Sequence, residues 1–253
     1  MRQDDRAAFD RALDRARVSA YARGEFVGQE SFMTAAEIRA LAVQAGIGPG
    51  VTVLDLCCGV GGPGRFLTRK LGCAYLGVDA GACAVAIARE RAGDLPCRFE
   101  TAQVPPLPPG VFDVVLLLET MLAFEDKDTL VRAIAAALRP GGRFAFTLEE
   151  GAPLTTVERA AMPDADTVWL TPLDELAASL EGSGLAVTWQ EDHSHAHLAT
   201  ARALADAFAA DAQNIAAQIG GRASDELLAA HRLWVEWLDD GRVRKLALVA
   251  QRA

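Results

Sequence analysis

The segment Val53-Leu54-Asp55-Leu56-Cys57-Cys58-Gly59-Val60-Gly61-Gly62-Pro63-Gly64 constrains this chain more than any other. Its apolar run suits a strand buried on both faces, which ends in an acid and turns through glycines into a helix start. Glycines at such a turn let the backbone approach a ligand where side chains would collide, and the new helix presents amides without intrahelical partners. Further short β-rich runs at 75–78, 98–100, 112–118 and 143–148 alternate with helical patterns, which predicts βαβ units and a parallel sheet. The helix at 126–138 places Leu130, Ile134, Ala137 and Leu138 on one face, with Pro140-Gly141-Gly142 as its stop.

Two helices are expected before the first strand. One runs through Tyr21, and the next starts at Thr34, where Thr34 and Glu37 have capping-box spacing and Met33 and Ile38 can form a staple. Thr171-Pro172 reads as an N-cap and N1 pair for a helix ending near Gly184. A strand at 186–190, two helices over 196–239 split at Gly220-Gly221, and a closing strand at 243–250 follow. The helical pair therefore reads as an insertion between two strands. The expected organisation is a helical lid at 1–50, a sheet core at 51–191 and 242–253, and an insertion at 192–241 that covers a pocket.

With 34 acidic and 25 basic side chains the formal charge is -9, and no basic stripe is present, which argues against phosphate-dependent nucleic-acid binding. The Arg-rich stretch 2–23 is interleaved with Asp4, Asp5, Asp10 and Asp14, a self-compensating helix face rather than a transit peptide. No apolar segment reaches the roughly eighteen residues of a membrane span, so a cytoplasmic protein without membrane partners is expected. Cys57, Cys58, Cys73, Cys83 and Cys97 lack CxxC spacing and read as buried reduced thiols.

Gly59, Gly61 and Gly64 satisfy GxGxxG, so NAD is one candidate ligand. Asp79, ending the next strand, suits the ribose of a dinucleotide or of S-adenosylmethionine equally. Asp55 favours the second, because a carboxylate beside the loop attracts an ammonium and a sulfonium and repels a pyrophosphate.

These residues resemble motifs of the class I S-adenosylmethionine-dependent methyltransferases of the small-molecule type. Motif I looks like residues 53–64, the acidic ribose position looks like Asp79, Gln103 stands where the family usually has Asp, and Leu138-Arg139-Pro140-Gly141-Gly142 resembles the LxPGG signature. The resemblance implies an α/β, Rossmann-like seven-stranded sheet in the order 3-2-1-4-5-7-6 with the last strand antiparallel. It also implies S-adenosylmethionine contacts at Asp55, Cys57, Gly59, Gly61, Asp79, Ala80, Gln103, Val104 and Glu119, and at Tyr21, Phe26 and Gln29 of a lid.

Methyl transfer is an in-line displacement in which the enzyme mainly aligns donor and acceptor, with a base only where the acceptor must lose a proton. Glu119 and His193 are the catalytic candidates, and the alternative for Glu119 is a strand-end backbone contact. Met121, Phe124, Glu149, Trp169, His193 and His195 are candidates for the acceptor pocket, joined by Glu150, Met162, Trp234 and Trp237. His193-Ser194-His195-Ala196-His197 in extended form would align three rings, yet no remote further ligand is identifiable, so no metal site is expected. The leading expectation is methyl transfer to N, O or C of a small metabolite. The rivals are another reaction around bound S-adenosylmethionine, such as cyclisation, and a non-catalytic methyltransferase-like protein. Oligomeric state is left open.

Overall fold

The computed structural model describes residues 3–253, with side-chain surroundings from Arg11 onward. Of the expected N-terminal face, Arg2 and the side chains of Asp4, Asp5 and Asp10 lie outside the described residues, and Asp14 reaches Arg91 at 3.5 Å. Helices α1 (Gln3–Ala20) and α2 (Ala35–Gln44) precede β1 (Thr52–Leu56), α3 (Gly62–Leu71), β2 (Ala74–Asp79), α4 (Ala82–Ala92) and β3 (Cys97–Thr101). Then come β4 (Phe112–Leu117), α5 (Lys127–Ala137), β5 (Leu138–Glu150), α6 (Thr156–Ala161), α7 (Leu173–Gly182) and β6 (Leu185–Asp192). Helices α8 (Ser194–Ala210), α9 (Ala212–Ile219) and α10 (Gly221–Asp239) lead into β7 (Arg244–Arg252).

The strands form one sheet in the order β3-β2-β1-β4-β5-β7-β6, as the resemblance implied. β1 runs parallel to β2 and β4, whereas β7 inserts antiparallel between β5 and β6. The order reverses direction at β1 and β4, whose carboxyl ends therefore open a crevice. Alternation along β1 sorts the two layers: Val53 packs with Leu41, Leu67 and Val85 on one face, and Leu54 and Leu56 pack with Leu130, Ile134 and Leu180 on the other. A third apolar cluster lies off the sheet, where Leu13 of α1 meets Leu204 and Phe208 of α8 and Leu238 of α10.

Local signals held at α2, where Glu37 N donates to Thr34 Oγ1 (3.2 Å) and Thr34 N to Glu37 Oε2 (2.7 Å). Elsewhere tertiary pairing moved them. The insertion contains three helices, not two, because Asp211 breaks it, its carboxylate accepting from Arg15 of α1 (3.3 Å) and Asn214 (2.6 Å). Thr171 is not an N-cap: it bridges Glu150 and accepts from Gly151 N (3.3 Å), which leaves Pro172 at the cap. The stop after α5 is already strand, since Leu138 pairs with Phe112 and the Pro-Gly-Gly residues form an irregularity within β5. All five cysteines are free, but only Cys58, Cys73 and Cys97 are buried; Cys57 and Cys83 are half-buried.

Candidate functional site

A cavity of about 240 Å³ opens at the tips of β1 and β2, walled by Gly28, Asp55, Cys57, Gly59 and Asp79, among others. Gly59 adopts φ +53, and its N–H donates to Asp79 Oδ2 at 2.9 Å, while Gly81 N donates to Oδ1 at 2.7 Å. Each oxygen of Asp79 retains a lone pair for a further donor. A Cβ at Gly62 would stand 2.2 Å from the Gly28 carbonyl, so the loop after α1 lies directly on the first turn of α3. Asp55 is 3 % exposed and accepts from the Tyr75 hydroxyl. Burial pushes its carboxyl up to about 7 against that bond, and Asp79 adds to the rise. Burial and the same two acids push Cys57 up to about 12, which keeps it a neutral thiol. Among the described residues the wall carries the carboxylates of Glu30, Asp55 and Asp79 and no Lys or Arg. That donor set fits a cationic nucleoside with a ribose and does not fit a pyrophosphate.

A second cavity, about 310 Å³, adjoins the first through Gln29, Glu30 and Ser31. Its walls come from α1, the loop after it, the segments following β4 and α6, α8, α10 and β7. Lys245, 3 % exposed, donates to Glu119 Oε2 (2.8 Å) and Glu149 Oε1 (2.7 Å), beneath the rings of Phe32 (5.0 Å) and Trp234 (5.4 Å). Burial opposes both charges, but the mutual attraction wins. The Glu119 carboxyl lies below its ordinary value because of Lys245 and His197, and the Lys245 ammonium lies above its own because of the two glutamates. Glu119 holds φ +54, a strained setting for a non-glycine residue, and its N–H donates to Thr147 Oγ1 at 2.5 Å. His231 Nδ1 lies 2.9 Å from the Leu227 carbonyl, which assigns the proton to Nδ1 and leaves Nε2 as acceptor. Burial lowers its pKa, favouring the neutral imidazole.

The structure brings Gln29, Asp55, Cys57, Gly59 and Asp79 together in the first cavity, and Tyr21, Glu119, Met162 and Trp234 in the second. It sends other candidates elsewhere. Gly61 faces the core, where a Cβ would meet Phe99 at 2.7 Å, so packing demands that glycine. Ala80 and Gln103 are exposed outside the cavity wall, Val104 packs on the sheet, and Phe26 lies tilted against Tyr21 in the helical cluster. The Gln29 amide is fully engaged by Val27 N, Glu25 O and Met33 O, so it braces the loop. Met121 is fully buried in the sheet core and Phe124 packs against it. Trp169 turns away under Arg159 (4.5 Å), and its neighbours Thr167 and Val168 take the wall position. Glu149 sits behind Lys245, Glu150 pairs with Arg244 (2.9 Å), and Trp237 joins a side cluster. His193 is buried outside both cavity walls and His195 is exposed. The sequence reading missed Lys245 and His231. A lone lysine beside the apolar run at 246–250 was the available signal for the first; His231, amid Ala229, Ala230 and Leu233 on a long helix, offered none.

Residues 53–142 match the family described as a methyltransferase domain. "Methyltransferase GfsG" of Streptomyces halstedii is 31% identical over 175 residues, 64% of this chain and 62% of that protein. "Phosphoethanolamine N-methyltransferase 1" of Arabidopsis thaliana is 35% identical over 99 residues, 38% of this chain and 20% of that protein. These curated relatives are thus matched over less than two thirds of their own length. The cyclopropane synthase MmaA2 from Mycobacterium tuberculosis has the same fold, with a TM-score of 0.82 at 14% identity over 97% of this chain and 94% of that one. The strand order, the glycine turn and the matched domain place the chain among proteins built on the Rossmann-like methyltransferase sheet. Residues 53–142 are thus similar to the methyltransferase-domain family, and the sheet has the fold of the class I S-adenosylmethionine-dependent methyltransferases.

Proposed function

We propose that this protein transfers the methyl group of S-adenosylmethionine to an N, O or C atom of a small-molecule acceptor. The observation that carries the reading is the pair of adjoining cavities, one acidic and glycine-built, the other largely apolar with a neutral histidine in its wall. In the first, Asp79 is positioned for the ribose hydroxyls and Asp55 for the ammonium end of the methionyl chain. S-adenosylmethionine, when bound, supplies a methyl carbon already activated by the sulfonium. The chain's own residues then orient the acceptor and exclude water. The loop at 24–33 closes over α3, Phe32 and Trp234 wall the pocket, and His231 Nε2 accepts a proton from an acceptor hydroxyl or amine. Glu119 and Lys245 are assigned to positioning, since their charges already satisfy each other.

This reading keeps the three-part organisation, with a lid at 1–50, a cofactor-binding core at 51–191 and 242–253, and α8–α10 within 192–241 covering the acceptor. A cytoplasmic setting and a small-molecule partner belong to it too; no helix among the described residues is long and apolar enough to cross a membrane. The names of the relatives, which include a phosphoethanolamine N-methyltransferase and a phytyl hydroquinone methyltransferase, support small acceptors of varied polarity.

Titration calorimetry with S-adenosylmethionine and S-adenosylhomocysteine, with NAD as control, tests the donor site, and an acceptor screen read by release of S-adenosylhomocysteine tests the transfer. Adenosyl binding lost in Asp79→Ala supports the site. Turnover of an acceptor without such release would replace methyl transfer by a reaction such as cyclisation, and folded protein that binds no adenosyl ligand would sink the proposal.

A further inference from the structure

Behind the acceptor cavity, three side chains from distant parts of the chain converge: Glu37 of α2, His193 at the N-cap of α8, and His197 one turn into it. One ligand atom of each lies within 4.8 Å of the others. His193 Nδ1 stands 3.6 Å from Glu37 Oε1, and His197 Nε2 stands 3.6 Å from Glu37 Oε2. These separations are too long for hydrogen bonds. They suit neighbouring ligands around one ion, since ligand distances near 2.1 Å in a tetrahedron put donor atoms about 3.4 Å apart. Both rings are more than nine-tenths buried, and His193 Nδ1 and both nitrogens of His197 lack a hydrogen-bond partner. Buried imidazole nitrogens left unpaired are costly, so the arrangement asks for a partner at the point where they meet.

His197 Nδ1 faces Glu119 Oε1 at 3.8 Å, and His193 Nε2 faces Glu191 Oε2 at 3.4 Å. Each ring thus turns one nitrogen towards the common point and the other towards a carboxylate, the relative placement found around metal-bound histidines. Charge points the same way. Lys245 is shared between Glu119 and Glu149 while Glu37 meets the two histidines, so this contiguous half-buried to buried set holds three carboxylates against one ammonium.

We infer that Glu37, His193 and His197 form a binding site for one divalent transition-metal ion of the zinc type, which clips the lid helix α2 to the first turn of α8. The ion neutralises the excess carboxylate charge behind Glu119 and holds both covers of the acceptor cavity in register. It has no part in the methyl transfer proposed above, and the site stands or falls independently of that reading.

The test uses tag-free, chelator-treated protein titrated with Zn²⁺ by calorimetry and with Co²⁺ by visible absorption. One equivalent is expected to bind, with cobalt bands of a low-coordinate nitrogen and oxygen site and a rise in Tm of about 5 °C at a hundredfold excess over Kd. His193→Gln and His197→Gln should abolish the stoichiometric site, Glu191→Gln should weaken it about 10- to 100-fold, and His195→Gln should leave it intact. If His197→Gln does not fold, His193→Gln decides, because that residue lies at a helix cap. Folded wild-type protein that takes up no ion, or uptake that persists in folded His193→Gln, overturns the inference.

Discussion

The donor cavity takes most of its wall from two short stretches, 28–31 and 55–63, together with Asp79, whereas the acceptor cavity draws on residues from Leu13 to Lys245. The first is shaped by backbone: glycine turns, strand ends and an acid that accepts from two loop amides. The second is shaped by side chains of α1, α8, α10 and β7, with a buried ion triad beneath them. A site made from local turns tolerates change around it, while a site assembled from distant elements depends on the packing that brings them together. In the proposed function the first cavity holds the methyl donor and the second selects the acceptor.

The sharpest way to break this contrast is Lys245→Met, which preserves volume but leaves Glu119 and Glu149 buried without their cation. A loss of about 3–5 kcal/mol is expected, roughly 10 °C in Tm for a chain of this size. Glu119 contributes stability above the ordinary carboxylate pKa, and that contribution is lost as pH falls through its depressed value. The gap between wild type and variant should therefore narrow as pH falls below the ordinary carboxylate pKa of 4.5; a gap that is constant with pH would assign the loss to packing alone.

His231→Gln probes chemistry in the same cavity. With an acceptor found by the screen, kcat should fall about 10²- to 10⁴-fold while donor affinity holds; an unchanged rate would remove His231 as the base. Asp79→Ala should do the converse, weakening S-adenosylmethionine by about 100-fold through loss of charge-assisted hydrogen bonds. A comparable fall in acceptor affinity would show that the cavities are not separable.

The smallest effect concerns Asp55. Its carboxyl, raised to about 7 in the free protein, must be ionised to attract a cation, so donor affinity should rise with pH up to about pH 7 and then level off. Asp55→Asn should flatten this profile. For folding the sign is opposite: the raised pKa costs stability as pH climbs from 3.8 towards 7, so at pH 8 the Asn variant should melt higher than wild type. A profile that kept its slope in the variant would place the titrating group elsewhere.

Much of the donor side was legible in the chain. Asp55, Gly59 and Asp79 were named from strand ends and glycine spacing and Cys57 from the resemblance, and all four share one cavity. Gly61 shows the limit of that reading, because a glycine needed for backbone approach and one needed to admit Phe99 look alike in a motif. The acceptor side was less legible. Trp169 and Met121 lie beside the correct loops, but rotation about a single turn decides which neighbour faces the cavity. An extended histidine run would have aligned alternate rings; in the structure the run straddles a helix start, which puts His193 and His197 on one face.

The sequence by itself determined the alternation of strands and helices, the glycine turn after β1 and the acid at the tip of β2, because apolar periodicity and glycine conformation are local properties. Only the tertiary structure decided the register of β7 on β5 that sets Lys245 opposite Glu149. It alone brought Glu37 to His193 and His197, and His231 to the wall that Leu13 and Arg17 share. Those meetings span most of the chain, and they are set by how buried faces and charges satisfy one another across the fold rather than by any pattern along it.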